Sequence, residues 1–222
     1  MNLSNRLKAV ATLVCKDSRV IDVGCDHAYL DIYLTLYNNN SCIATDINKN
    51  ALEIAKNNIK KYNLEDKIET KLTDGLLNLE IKESDTIVIS GMGTHTILEI
   101  LKTNKLSDTL IISSNNDIEM LRTNVVNLGY YIDCEIFIID KNKPYVIIKF
   151  KKGTKKYSKR DLKYGPYLKN NIKYINYLIK KYNLIIKNIG KNKLLLKFKY
   201  KFLILKLKIM LYYNTKNNWD YH

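Results

Sequence analysis

Residues 19–30 read Arg-Val-Ile-Asp-Val-Gly-Cys-Asp-His-Ala-Tyr-Leu, and no other stretch of the chain limits its fold as tightly. Val20, Ile21 and Val23 make a short apolar run suited to a buried strand. Gly24 marks a tight turn, and a helix is expected to open near Ala28. A second apolar run, Cys42-Ile-Ala-Thr-Asp46, ends on a carboxylate 22 positions beyond that glycine. Strand, turn, helix start and a later acid are the layout of a nucleotide-type cofactor crevice at a sheet edge. The residue two places past the glycine says which cofactor. A dinucleotide site needs a second glycine there, so that backbone can approach pyrophosphate; here stands Asp26, which repels phosphate. S-adenosylmethionine has no phosphate, and its sulfonium and ammonium groups suit carboxylates at Asp22 and Asp26. Any α/β corner can use the same two acids as turn and cap residues, so other strand ends must decide.

A third apolar run, Lys67-Ile-Glu-Thr-Lys-Leu72, is followed by Thr73-Asp74-Gly75, and a fourth, Asp85-Thr-Ile-Val-Ile-Ser90, by Gly91-Met92-Gly93. An acid after the third can bind an adenine amino group, and glycines after the fourth leave room for the cofactor. The expected cofactor contacts are Asp22, Gly24, Asp46, Ile47, Asp74, Gly75, Ser90, Gly91, Met92 and Gly93. Helices are expected over 3–14, 28–36, 49–62, 94–102 and 117–128, the last capped by Asn116 or Asp117. A fifth strand is expected over 109–113. Runs at 132–140 and 145–150, joined by Lys141-Asn-Lys-Pro144, are too closely linked for a helical crossover and predict an antiparallel hairpin.

Charge divides the chain in two. Residues 1–150 hold 17 Lys+Arg and 20 Asp+Glu, a net of −3, whereas residues 151–222 hold 20 and 2, a net of +18. A bias toward lysine codons does not explain why the carboxylates stop near residue 150. So basic a segment predicts a polyanion-binding arm, with nucleic acid ahead of anionic lipid or a merely solvated tail. Leu168, Ile172, Ile175, Ile179, Tyr182, Ile186 and Ile189 alternate spacings of four and three, a heptad seam. Gly190 is placed to end that helix in a left-handed conformation. Leu195, Phe198, Phe202, Leu205 and Ile209 repeat the pattern, which predicts a helical coiled-coil hairpin. The expected division is 1–153 for a cofactor-binding domain and 154–222 for a basic helical one. No run of about 18 apolar residues and no leader pattern are present, so neither a membrane span nor a signal peptide is expected. Four cysteines and three histidines lack ligand spacing, which predicts no metal and a reducing, cytoplasmic setting. A monomer is expected.

Leu3-Ser-Asn-Arg-Leu7, Asp22-Val-Gly-Cys-Asp-His-Ala-Tyr-Leu30, Asp74-Gly-Leu76, Gly91-Met-Gly93, Leu121-Arg122 and Tyr164-Gly-Pro-Tyr-Leu168 resemble stretches of the bacterial TrmK-type tRNA (adenine-N1)-methyltransferases. These modify the adenosine at position 22 of tRNA. The resemblance implies a Rossmann-like class I methyltransferase sheet (α/β) followed by a coiled-coil domain, with S-adenosylmethionine as cofactor and tRNA as partner. Four places depart from the family pattern. Thr94 stands for a second glycine, Ser113-Ser114 for Gln-Pro, Tyr145-Val146 for Tyr-Glu, and Asp46 for a frequent Glu, which keeps the ribose contact.

Ring N1 of adenine has a free lone pair, so an enzyme acting there chiefly aligns donor and acceptor and supports positive charge on the product. An Asn/Asp-Pro-Pro-aromatic block after the fourth strand is missing, which argues against amino-group methylation. The lack of a suitably placed cysteine argues against pyrimidine C5 methylation. Asp26 is expected either to stabilise the cationic base or to bind cofactor. His27 or Tyr29 would line the pocket, with His27 alternatively a structural cap. RNA contacts are expected from Arg6, Arg122, Lys155, Lys156, Lys159 and Arg160. A methyltransferase for another RNA or a small molecule, and a catalytically silent adaptor, are the competing readings.

Overall fold

β1 (Arg19–Val23), β2 (Ser41–Asp46), β3 (Ile68–Leu72), β4 (Thr86–Met92), β5 (Thr109–Ser114), β6 (Tyr130–Asp140) and β7 (Lys143–Lys152) form one sheet. Its spatial order is β3-β2-β1-β4-β5-β7-β6. The computed structural model describes residues 3–102, 105–190 and 192–217. The first five strands run parallel, β7 is antiparallel to β5, and β6 is antiparallel to β7. Ile87, Val88 and Ile89 of β4 and Leu110, Ile111 and Ile112 of β5 are fully buried. Central parallel strands covered on both faces need such unbroken β-branched and aliphatic runs.

Helices α1 (Asn5–Ala11), α2 (Tyr29–Asn38), α3 (Lys49–Lys61), α4 (Thr94–Ile100) and α5 (Ile118–Asn127) complete this unit. The amphipathic α3 buries Leu52, Ala55 and Ile59, and Asn48 caps it by accepting from the amides of Asn50 and Ala51. β1 lies between β2 and β4, with Val23 opposite both Thr45 and Ile89. The chain leaves β1 toward one edge and returns at β4 to build the other. Their carboxyl ends therefore open a crevice at a topological switch point.

Two local expectations need correction. Asp117 precedes α5 in a left-handed conformation with no side-chain cap bond, and Asn116 Oδ1 instead accepts from the Thr94 amide at 2.9 Å, at the start of α4. The link between β6 and β7 is also tighter than the sequence suggests. Lys141 and Asn142 alone form it, both at positive φ. Two consecutive positive-φ residues match the strand twist in a two-residue hairpin.

The chain divides into two compact units, Met1–Ser158 and Lys159–His222. The second holds α6 (Lys159–Tyr164), a 3-10 turn (Leu168–Asn170), α7 (Ile172–Asn188) and α8 (Leu194–Asn217). Asn171 caps α7 by accepting from the Tyr174 amide. Asn214 Nδ2, near the end of α8, donates to the Lys169 carbonyl just before α7, so the two helices are antiparallel. Of the seam expected on α7, Ile175 is buried, Ile172, Ile179 and Ile186 are half-buried, and Tyr182 meets Tyr200 of α8 at 5.5 Å between ring centroids. Tyr174 and Leu178, which that seam leaves out, are buried as well.

Gly190 does not end α7 as expected. Ile189 closes it in an extended conformation, and Gly190 is not at positive φ. The seam predicted on α8 is likewise on the wrong side. Leu195 is 88% exposed, and Phe198, Phe202, Leu205 and Ile209 are exposed too, whereas Ile204, Leu207 and Met210 are buried. α8 is apolar on two faces, and the packed one was not the one its spacing suggested.

Candidate active site

The crevice is built from backbone first. Gly24 sits at φ +76, and a Cβ there would collide with Met92 Cε from the end of β4. The amides of Gly24 and Cys25 both donate to the Thr45 carbonyl at 2.9 Å, which pins the turn after β1 against β2. Asp26 and Ala28 are held in left-handed conformations. Few non-glycine residues adopt that region, and where several cluster they shape functional turns.

Carboxylates surround this turn. Asp46 Oδ2 accepts from the Asp26 amide at 3.1 Å and Oδ1 from the Asn48 amide at 2.8 Å. Each oxygen keeps a lone pair, so the group is oriented yet able to accept from ligand hydroxyls. Asp22, at the end of β1, is only 5% exposed. Burial pushes it up to about 7, against the polar neighbour Asp31 and the positive charge of Arg6. Asp31, wholly buried in the first turn of α2, is raised well above the usual carboxylate range by burial and then by the charge of Asp22. Burial, with the surrounding carboxylates, also raises the Cys25 thiol. Cys25 therefore stays protonated and is no nucleophile. A cation entering beside Asp22 relieves a buried negative charge, whereas a phosphate adds to it. The residues fit a ligand that is cationic and hydroxyl-bearing, as the sequence expectation of S-adenosylmethionine requires.

The remaining expected contacts sit around the same edge. Ile47 follows Asp46 and is 70% exposed. Asp74 lies at a cavity of about 250 Å3 with Leu76, Leu77 and Ile100 in its wall. Gly75, at φ +59, would press a Cβ to 2.9 Å from Ile100. Ser90 accepts from Arg6 Nη1 at 2.7 Å, so α1 reaches across to the end of β4.

Asp26, His27 and Tyr29 come together at the start of α2. Asp26 Oδ1 lies 3.5 Å from His27 Nδ1, with the Asp26 side chain 74% exposed, and the rings of His27 and Tyr29 meet edge-on at 5.9 Å. Asn58 Nδ2 donates to the His27 carbonyl and fixes that loop on α3.

A second cavity, of about 530 Å3, was not legible in the sequence. Arg6, Gly91, Asn115, Lys143, Pro144 and Tyr145 line it. Arg6 lies over the Tyr145 ring at 5.6 Å. Asn115 Nδ2 donates to the Gly91 carbonyl at 2.8 Å, which leaves its Oδ1 as an acceptor. Three elements (α1, β4 and β7) and the loop after β5 supply these residues, so no local pattern announces them. Beside it, two departures from the family pattern join: Thr94 Oγ1 bonds Ser114 Oγ at 2.8 Å and the Asn116 carbonyl at 2.6 Å. The two changes support each other.

Among the expected RNA contacts, Arg122 is corrected. It is fully buried, its Nε 2.6 Å from Glu135 Oε1, with neither side chain exposed; it locks α5 to β6 and cannot touch RNA. Lys155 and Lys156 lie exposed between β7 and α6, and Lys159 and Arg160 lie exposed in α6. No group of three or more candidate metal ligands occurs among the described residues, and no helix there is long and apolar enough to cross a membrane.

The sheet order and the crevice together define a Rossmann-like methyltransferase domain. Residues 3–148 match the methyltransferase domain family. The tRNA (adenine(22)-N(1))-methyltransferase of Bacillus subtilis is 31% identical over 67% of this chain and 64% of its own length. MG248 of Mycoplasma genitalium is 32% identical over 83% of this chain and 87% of its own. The structure of M. capricolum TrmK in complex with S-adenosyl-homocysteine superposes with a TM-score of 0.82 at 33% identity, over 94% of this chain and 97% of that one. The chain belongs to the TrmK-type family of bacterial tRNA (adenine-N1)-methyltransferases. It spans just under two thirds of the Bacillus subtilis relative's length.

Proposed function

We propose that this protein transfers a methyl group from S-adenosylmethionine to N1 of an adenosine in tRNA, at position 22. The observation that carries the reading is the glycine turn ringed by Asp22, Asp26 and Asp46, hostile to phosphate and suited to a cationic nucleoside. Membership of the TrmK-type family supports the substrate, because the Bacillus subtilis relative bears that activity in its name.

S-adenosylmethionine supplies an electrophilic methyl on a sulfonium, which the N1 lone pair attacks without prior loss of a proton. The work of the chain is then to align and to neutralise. Asp46 orients the donor through its ribose hydroxyls, and Asp22 faces its cationic groups. Asp74, at the rim of an apolar cavity, accepts from the adenine amino group of the donor. The cavity of Arg6, Asn115 and Tyr145 receives the target base, with Asn115 Oδ1 accepting from its exocyclic amine and Tyr145 offering a ring face. Asp26, exposed at the start of α2, stabilises the methylated cationic ring. In tRNA the target must leave its stack to enter such a cavity. The basic second unit supplies most of the affinity for RNA.

Labelled donor, bulk tRNA, ribosomal RNA and a no-RNA control test the assignment together. Label confined to N1 of one adenosine in tRNA is the expected result. Label in ribosomal RNA or in no RNA at all would replace the substrate.

A further inference from the structure

We infer that the cleft between α6 and α8 binds a single unstacked nucleotide of the RNA, with its flanking phosphates. This rests on the proposed function and goes beyond it by giving the second unit a built site rather than a diffuse charge. The cleft has a volume of about 530 Å3. Lys159, Arg160 and Lys163 of α6 line it together with Lys206 of α8, and no carboxylate does. Asp161 is the one acid among the described residues of this unit, and it is taken up by Lys169 Nζ at 2.6 Å. Four cations exceed the charge of one phosphate, so the chemistry asks for a backbone that crosses the cleft, not a lone anion.

The rest of the lining separates single-stranded from duplex RNA. Leu203, Met210 and Tyr213 are apolar or aromatic and line the same space. A duplex keeps its base faces stacked on one another and would leave these side chains uncovered. A splayed base covers them and stacks on an aromatic face, which is how proteins hold unpaired nucleotides. Tyr213 is 61% exposed and meets Tyr212 edge-on at 5.8 Å, so its ring is braced in place and available.

The two halves of the cleft give separable signatures, read with fluorescent tRNA at graded potassium chloride and with the full chain throughout. Replacing Arg160 and Lys163 together by Ser should flatten the slope of log affinity against log salt by about 1.5, since each lost phosphate contact removes somewhat under one released ion. Tyr213→Ala should weaken tRNA binding about 5- to 150-fold at unchanged slope, the size of one lost base stack. Tyr213→Phe should bind as the parent does. A blunt RNA duplex should not distinguish Tyr213→Ala from the parent. Parental tRNA affinity in Tyr213→Ala, or an equal loss on tRNA and blunt duplex, overturns the inference. So do phosphatidylglycerol vesicles that bind more tightly than tRNA and are released by the same substitution, because the cleft would then be a lipid site. Circular dichroism confirms that each variant is folded. If the parent methylates tRNA while all cleft variants match it, the cleft alone falls. If the parent neither binds nor methylates tRNA, the proposed function falls and the cleft falls with it.

Discussion

In the crevice of the first unit, recognition rests on a few groups fixed by many others. Asp46 is held by two backbone amides, Asp22 is buried, and Gly24 is cornered by Met92. On α8, by contrast, Lys199, Lys201, Lys206 and Lys208 are exposed along the helix; Lys201 and Lys206 lean on the rings of Phe198 and Phe202. Residues 1–150 carry net negative charge and residues 151–222 strong positive charge. A small ligand is recognised by geometry, so one atom out of place matters. A polyanion is attracted by summed charge, so a single cation matters little and the ensemble of cations matters greatly.

Removal of the whole second unit should therefore have the largest effect. A fragment of residues 1–158, shown to be folded by circular dichroism, should keep donor binding and lose tRNA affinity by about three orders of magnitude or more at low salt. Equal tRNA affinity and equal salt slope in the fragment would erase the contrast between the two regions. Next in size, Asp46→Ala removes two loop hydrogen bonds and the hydroxyl contacts. Donor affinity measured by calorimetry should drop by on the order of 1–3 kcal/mol, with the salt slope for tRNA untouched. Undiminished donor binding would take Asp46 out of the site.

Acidity sharpens the comparison further. Burial places Asp22 near 7, above the roughly 4 of an unfolded carboxyl. Between those values the folded, unliganded protein holds a proton that the unfolded chain has lost. Its stability should fall as pH rises through that window. A cationic donor takes the ionised form, so donor affinity should rise as pH approaches and passes 7, then level off, with proton uptake by buffer seen in calorimetry. Affinity that stays flat from pH 6 to 8 would detach the buried acid from the donor. The smallest effect is expected for one lysine of the hairpin. Lys199→Ser should change tRNA affinity by no more than about threefold near physiological salt, as the screening length there of about 8 Å leaves other cations in control.

The same contrast explains what could be read from the sequence. Strand runs such as Val20-Ile21 and Ile87-Val88-Ile89 are legible because central parallel strands have no alternative to continuous burial. The crevice acids are legible because each closes one of those runs. On α8 the pattern failed for a physical reason. Leu195, Phe198 and Phe202 make as good a seam as Ile204, Leu207 and Met210, and only packing against α7 chooses between them. The base cavity was invisible because Arg6, Gly91, Asn115 and Tyr145 meet only after the sheet has formed. Arg122 did leave a signal: it sits beside Leu121, four places after Ile118 and three before Val125, on the inward face of α5. A cation there has to find a buried partner.

That partner gives the pair a history of its own. Arg122 and Glu135 are both wholly buried. Loss of either strands the other's charge at about 3–5 kcal/mol, whereas exchanging both for apolar residues of similar volume costs little or even stabilises. Two tolerable states are thus separated by two damaged single-step intermediates. Descent can cross between them only by changing both positions almost at once, so relatives should carry the charges as a pair or lack them as a pair. What holds α5 to the sheet in the present molecule also confines the routes by which its descendants can change.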